Sequence, residues 1–316
     1  MNKHGFFHCI ALSILTVAAG SALGGETAGP AVTALAATPD GKGFVRASQA
    51  GVVYGLAMGK EQRAIATGLD HVLALAFSLD GKHLAIGGGS PAEAGVVELC
   101  DWPGGKQARR LEGHEDVVTD VKWLGRGNLL ATASMDRTIR IWDAARSRCV
   151  ATLPGHSGAV LALAVSPDGK YLCSGSADQT VRVWNTSDWQ LVRSLDNHLG
   201  AVHSLAFRPS RAEGQPAYLA SGSEDRTVRI WQPTIGRMVR IIRQGTPVGN
   251  VIWSQNGERL YSGGKDGWLR TLDGDSDRVL QERKITSGRI TSLILGSGEG
   301  KVLVGTSEGS VAALGQ

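Results

Sequence analysis

Most marks of a cofactor enzyme or a nucleic-acid binder are missing from these 316 residues. There is no HExxH pair, no GxGxxG turn and no Walker loop, so no motif supplies a metal, dinucleotide or nucleotide site. Charge of one sign is not in excess. The 33 Lys and Arg residues stand against 29 Asp and Glu, a net charge of +4 scattered along the chain. A polyanion groove needs a denser basic stripe, which argues against nucleic acid as a partner. Cysteine is sparse: Cys9, Cys100, Cys149 and Cys173, with no CxxC or CxxCH spacing. That argues against a zinc ribbon, a disulfide framework or covalent haem. The thiols beyond Cys9 read as small apolar core residues. The sequence predicts no cofactor and no metal.

Long apolar runs are also absent, with one exception. Residues 5–19, GFFHCIALSILTVAA, follow a weakly positive start at Lys3 and His4. The run has signal-peptide length and is short for a membrane span. Ala22 and Gly24 stand at the −3 and −1 positions of a cut before Gly25. The pattern predicts a signal peptide over 1–24, a propeller domain over 25–316 (argued below), and a secreted or periplasmic protein with no membrane span after cleavage. An uncleaved anchor is the alternative. No Cys follows a small-residue pair, which argues against a bacterial lipoprotein.

Glycine is in surplus, 43 of 316. Its spread has no three-residue period, which excludes collagen and leaves many tight turns. With 42% apolar and 20% charged residues, the chain is not disordered.

The glycines belong to a repeat. Residues 132–142 read TASMDRTIRIW, 174–184 SGSADQTVRVW and 221–231 SGSEDRTVRIW. Weaker copies follow at 262–272, SGGKDGWLRTL, and 304–314, VGTSEGSVAAL. Two precede them: RASQAGVVYGL at 46–56, and IGGGSPAEAGVVELC at 86–100 with a four-residue insertion. The position of Asp136 recurs at 50, 94, 178, 225, 266 and 308, seven copies with a period near 42. The longest spacing contains the insertion RAEGQPA at 211–217. Each copy reads as four strands. In the fourth these are AVLALAVS, YLCSGS, TVRVW and QLVRSL, separated by PDGK, ADQ and a longer loop. Seven four-stranded units at this period predict an all-β, seven-bladed β-propeller.

Here the sequence resembles the WD-repeat (WD40) family, strongly in the third to fifth repeats. The resemblance implies a hydrogen-bonded tetrad in each of those blades. The sets are His114, Thr132, Asp136 and Trp142; His156, Ser174, Asp178 and Trp184; and His198, Ser221, Asp225 and Trp231. Trp only donates, Asp only accepts, and a hydroxyl and neutral His do both, so each set can satisfy itself. Recurrence at one register marks them as structural, not as catalytic triads. The sixth repeat keeps Ser262 and Asp266 but has Leu272 for Trp and no His. The seventh has Val304 and Glu308, the first Ala50 and Leu56, the second Ala94 and Cys100. Those blades are expected to open more readily. By register a closing strand would fall near residues 22–26, across the cut, so a three-stranded last blade or a very short closing strand is expected.

Three local matches carry little chemistry. Gly305, Ser307 and Gly309 form GxSxG, but between two strands and not before a helix. The run DGDSD at 273–277 lacks the calcium loop's Gly and Glu, having Arg278 and Lys284 there. Asn185–Thr186–Ser187 is a glycosylation sequon. Arg140, Arg182, Arg229 and Arg270 recur at one strand position, which reads as architecture with packed stems.

Surface remains. Family register places His71, Leu73, Val117, Thr119, Leu161 and His203 on one face, joined by Met135, Glu224, Lys265 and Arg289. A mildly apolar centre with a charged rim suits a protein or peptide partner. The expectation is a non-catalytic interaction platform without catalytic residues. Alternatives are an envelope sensor for a small ligand or glycan, a propeller hydrolase, or a cofactor-free subunit of an envelope redox complex.

Overall fold

The structure, a computed structural model, describes residues 29–48, 51–56, 62–125, 128–210, 217–296 and 301–315. The predicted signal, the closing strand expected near 22–26, Ala50 and most of the 211–217 insertion lie outside the described residues.

Every regular element among the described residues is a strand. The strands form seven antiparallel sheets in chain order, six of four strands and a last one of three. Their first strands are Val32–Ala37, His71–Phe77, Val118–Trp123, Val160–Val165, Val202–Phe207, Val248–Trp253 and Ile290–Leu295. Each first strand touches the next around a ring, including the seventh against the first. The protein is a seven-bladed β-propeller with a three-stranded last blade.

The sequence explains the layering. Second strands such as Leu129–Ser134 and Tyr171–Ser176 are buried along nearly their whole length. Both of their faces meet protein, which is why they are built from Ala, Ser, Thr and Gly. A Cβ on Gly175 would lie 2.7 Å from Val202 Cγ1, so the next blade seats only because that atom is missing. Third strands alternate, and Ile139 and Ile141 point inward. The cores lie between blades: Ile139, Ile141 and Leu153 of the third pack with Val160, Leu163 and Trp184 of the fourth. Each such side chain contributes roughly 1.5–3 kcal/mol when fully buried, and no blade buries its faces alone.

Two turns recur. After the first strand, Ser166 Oγ donates to Asp168 Oδ1 (2.6 Å) and accepts from Tyr171 N (2.9 Å). Thr38 with Asp40 and Ser78 with Asp80 repeat the hydroxyl–carboxylate bond. After the second strand, Asp178 Oδ1 accepts from Thr180 N and Oγ1 at 3.0 and 2.7 Å. This clamp holds the intervening Gln179 at φ +72°, and Arg137 and Arg226 are likewise left-handed at +71° and +67°. The sixth and seventh blades place glycine there, Gly267 and Gly309.

The ring closes by side-chain packing between the first and seventh blades. Val32 and Leu35 form one buried cluster with Leu303. Arg46 Nη1 donates to Gly309 O at 3.1 Å.

Candidate interaction face

One backbone hydrogen bond, repeated blade after blade, builds the face. The turn after each second strand donates to the segment leading into the first strand. Met135 N donates to Val117 O (3.0 Å), Ala177 N to Ala159 O (2.9 Å) and Glu224 N to Ala201 O (2.9 Å). Lys265 N donates to Pro247 O (3.2 Å) and Ser307 N to Arg289 O (3.0 Å). Turn and lead-in loop are therefore one rigid surface in five consecutive blades.

Directly beneath lie the buried polar sets. His114 Nδ1 is 2.7 Å from Asp136 Oδ2, and Nε2 is 2.7 Å from Thr132 Oγ1. Trp142 Nε1 donates to the same Oγ1 at 2.9 Å. His156, Asp178, Ser174 and Trp184 repeat this at 2.8, 2.8 and 2.9 Å. His198, Asp225, Ser221 and Trp231 repeat it at 2.7, 2.7 and 2.8 Å. A carboxylate can only accept, so Nδ1 carries the proton and Nε2 accepts from the hydroxyl. Burial would raise the Asp225 carboxyl, yet hydrogen bonds from Thr227, His198 and the Leu199 amide hold it down, at about 2. Asp136 and Asp178 are held down by the same kind of donors against the same burial. Burial lowers His198, more than Asp225 raises it. His198 is therefore a neutral imidazole on an ionised Asp225 carboxylate. The Ser174 and Ser221 hydroxyls are fully buried and already bonded to a Trp, so neither is presented to solvent as a nucleophile.

On the face itself, three of the expected residues form a chain across two blades. His203 Nε2 donates to Glu224 Oε2 at 3.0 Å, and Lys265 Nζ donates to Glu224 Oε1 at 2.8 Å. Burial depresses His203 despite Glu224. Burial would raise Glu224, but Lys265 and His203 bring it down. The group presents an ionised carboxylate beside a cation and a neutral imidazole. His71, Leu73, Met135, Leu161 and Arg289 are half-buried along the same rim. Val117 is only 2% exposed and belongs to the core. Thr119 spends its hydroxyl on Val160 O at 2.6 Å, joining the third blade to the fourth. Leu199, 81% exposed in the loop entering the fifth blade, is an apolar face residue that the register argument passed over.

Sequence reasoning also missed polar groups in the irregular blades. In the sixth, Gln244 takes the histidine's place and exchanges hydrogen bonds with Ser262 at 2.7 and 3.0 Å. The signal was present: each of His114 and His156 precedes its turn Asp by 22 residues, and the same step back from Asp266 lands on Gln244. Asp266 bonds Arg270 instead, at 2.7 Å. In the second blade, Glu98 is fully buried at the recurring arginine position. It accepts from Thr67 Oγ1 (2.9 Å), Gly68 N (3.2 Å) and Arg110 Nη1 (3.2 Å).

The remaining motifs are structural. Arg208 donates to Asp275 Oδ1 at 2.8 Å, and Arg240 to Gly274 O and Ser276 O at 2.9 Å each. Two arginines thus occupy the DGDSD loop. Ser307 Oγ accepts from Arg289 N at 3.0 Å inside a strand-to-strand turn. Asn185 Oδ1 accepts from Ser187 N at 2.9 Å. Among the described residues no three His, Cys, Asp or Glu side chains are grouped to hold a metal ion. No helix there is long and apolar enough to cross a membrane.

The family described as WD domain, G-beta repeat matches residues 105–143, 147–185 and 189–232, which span the three complete tetrads. Three of the propeller's seven repeats are WD repeats. Over 89 residues it is 30% identical to WD repeat-containing protein 18 of Bos taurus, covering 25% of this chain and 21% of that protein. Pre-mRNA-processing factor 19 homolog 2 of Arabidopsis thaliana is 42% identical over 64 residues, 20% of this chain and 12% of its own. Protein HIR1 of Candida albicans is 31% identical over 94 residues, 30% and 10% respectively. The chain therefore spans about a fifth or less of the length of each of these proteins.

Proposed function

We propose that this WD-repeat propeller is a non-catalytic platform that docks a protein or peptide on the face carrying His203, Glu224 and Lys265. The repeated bond between turn and lead-in loop supports this reading most, because it gives a preformed surface that needs little rearrangement on binding. Leu199 supplies an apolar contact beside the ionised group, the mix of anchor and charged rim that suits a protein partner. The apolar run at 5–19 supports a place outside the cytoplasm, secreted or periplasmic.

Capture of cross-linked partners from envelope extract, compared with the variant His203→Ala with Lys265→Ala, tests the platform. The expected result is one dominant partner, lost with the variant, at an unchanged melting temperature. Unchanged capture would remove this face from consideration. The N-terminal sequence of protein recovered outside the cytoplasm tests the location, with Gly25 as the expected first residue.

A further inference from the structure

The seventh blade ends in the strand Val311–Leu314, whose inner side pairs with Val302–Thr306. Among the described residues no fourth strand is bonded to its outer side. Beside it runs a shallow slot, open to solvent, between this blade and the sixth. Val302 and Leu314 form one wall; Arg259, Tyr261, Gln281 and Arg283 form the other.

Tyr261 is 5% exposed, and its buried hydroxyl has no hydrogen-bond partner. An unpaired buried hydroxyl is costly, and a ligand's polar group would recover that cost. Arg259 and Arg283 stand on the same wall. Their neighbour Glu282 is committed to Arg270 at 2.7 Å, leaving the slot cationic. The slot is open along one side, whereas small-molecule sites enclose most of their ligand.

We propose that this slot takes an extended acidic peptide segment of another protein, which adds to Val311–Leu314 as the fourth strand of the blade. The peptide backbone bonds the outer edge of this strand. Alternate side chains enter the slot, carboxylates meeting Arg259 and Arg283 and a polar atom meeting the Tyr261 hydroxyl. The charge of the wall selects an acidic segment over a basic one. This surface is separate from the His203–Glu224–Lys265 face, and neither proposal depends on the other.

The test titrates the full chain with a labelled eight-residue peptide of alternating Val and Glu, and with its Lys counterpart. Two further Glu peptides carry N-methyl groups on alternate amides in the two possible registers. Binding of the Glu peptide is expected, with one methylated register losing it. Arg259→Glu with Arg283→Glu should weaken the Glu peptide by about tenfold or more and strengthen the Lys peptide. Arg283→Glu alone, at an exposed position, carries the test where the double variant is misfolded. Tyr261→Phe should bind more weakly without loss of stability. The outward-pointing amides of residues 311–314, which do not bond Val302–Thr306, should gain hydrogen-exchange protection only with peptide. Equal binding of the Glu and Lys peptides, or indifference to charge reversal, overturns the proposal. So does protection of those outward amides without peptide. If that protection is independent of protein concentration, the chain's own residues before Gly29 occupy the edge; if it rises with concentration, a second copy does.

Discussion

In the fourth blade His156 spans Ser174 and Asp178, and Trp184 completes the set. In the sixth, Gln244 reaches Ser262 alone, Asp266 turns to Arg270, and a fully buried Leu272 fills the place of the indole. The second blade departs further. Its carboxylate, Glu98, comes from the strand position where the sixth blade has Arg270, and its partner Arg110 lies where the sixth has Glu282. The same cross-strand pair is thus present with its charges exchanged, Glu98–Arg110 at 3.2 Å and Arg270–Glu282 at 2.7 Å. The propeller does not require one set of polar residues. It requires that whatever polar atom enters the space beside the second strand finds a partner there.

The largest effect should come from breaking a complete set. His156→Ala leaves the Ser174 hydroxyl and the Asp178 carboxylate each short of a partner inside the blade. A loss of about 1–3 kcal/mol is expected in urea unfolding. Gln244→Ala removes a partner from Ser262 only and should cost less than half as much. Equal costs would mean that the tetrad is no more cooperative than a single bond.

Next comes the second blade. Arg110→Leu strands a buried carboxylate, though Arg110 is itself part-exposed, so about 1–2 kcal/mol is expected, below the cost of breaking a fully buried pair. Adding Glu98→Leu removes the charge along with its need and should restore most of the loss. If the double variant is no better than Arg110→Leu, Glu98 serves Thr67 and Gly68 more than its ion pair.

Acid should separate the blades as well. Burial holds His198 and His203 below the usual imidazole value, so the unfolded chain binds protons more readily as pH falls below about 6.5. Asp136, Asp178 and Asp225 lie below the usual carboxylate value, so the unfolded chain again gains protons below about pH 4. Both terms have one sign: stability is fullest above pH 6.5 and drops in two stages on acidification. Asp225→Asn should shrink the lower stage and, by removing the carboxylate that raises His198, deepen the upper. A melting temperature that rose between pH 6.5 and 4 would contradict the neutral-histidine assignment.

The strands, the seven blades and a three-stranded last blade were legible because each depends on pattern: alternation, turn residues and period. The pairing of His114 with Thr132 and Asp136 follows a fixed spacing that the family resemblance supplies. Gln244 and Glu98 were not read because their residue types are foreign to that pattern, although their positions belong to it. The face was legible only in outline. Register brings Glu224, Lys265 and His203 near one another, but burial decides that Val117 is core, and a hydrogen bond across blades decides that Thr119 is committed to Val160. Such choices arise between blades, where a single repeat carries no information.

The smallest effect sharpens the comparison most. Gln244→His restores the residue type of the middle blades at the matching position, beside Ser262 and within the same spacing of Asp266. A gain would require Asp266 to leave Arg270, which also holds Glu282 at 2.7 Å. Moving the carboxylate trades an ion pair for a histidine bond, and Leu272 offers no indole N–H to complete the set. The two changes nearly cancel, so a difference within about 0.5 kcal/mol is expected, the size of an ordinary surface substitution. A gain above about 1 kcal/mol would mean that the imidazole outcompetes the guanidinium for Asp266, and that the sixth blade lacks the tetrad only for want of its histidine.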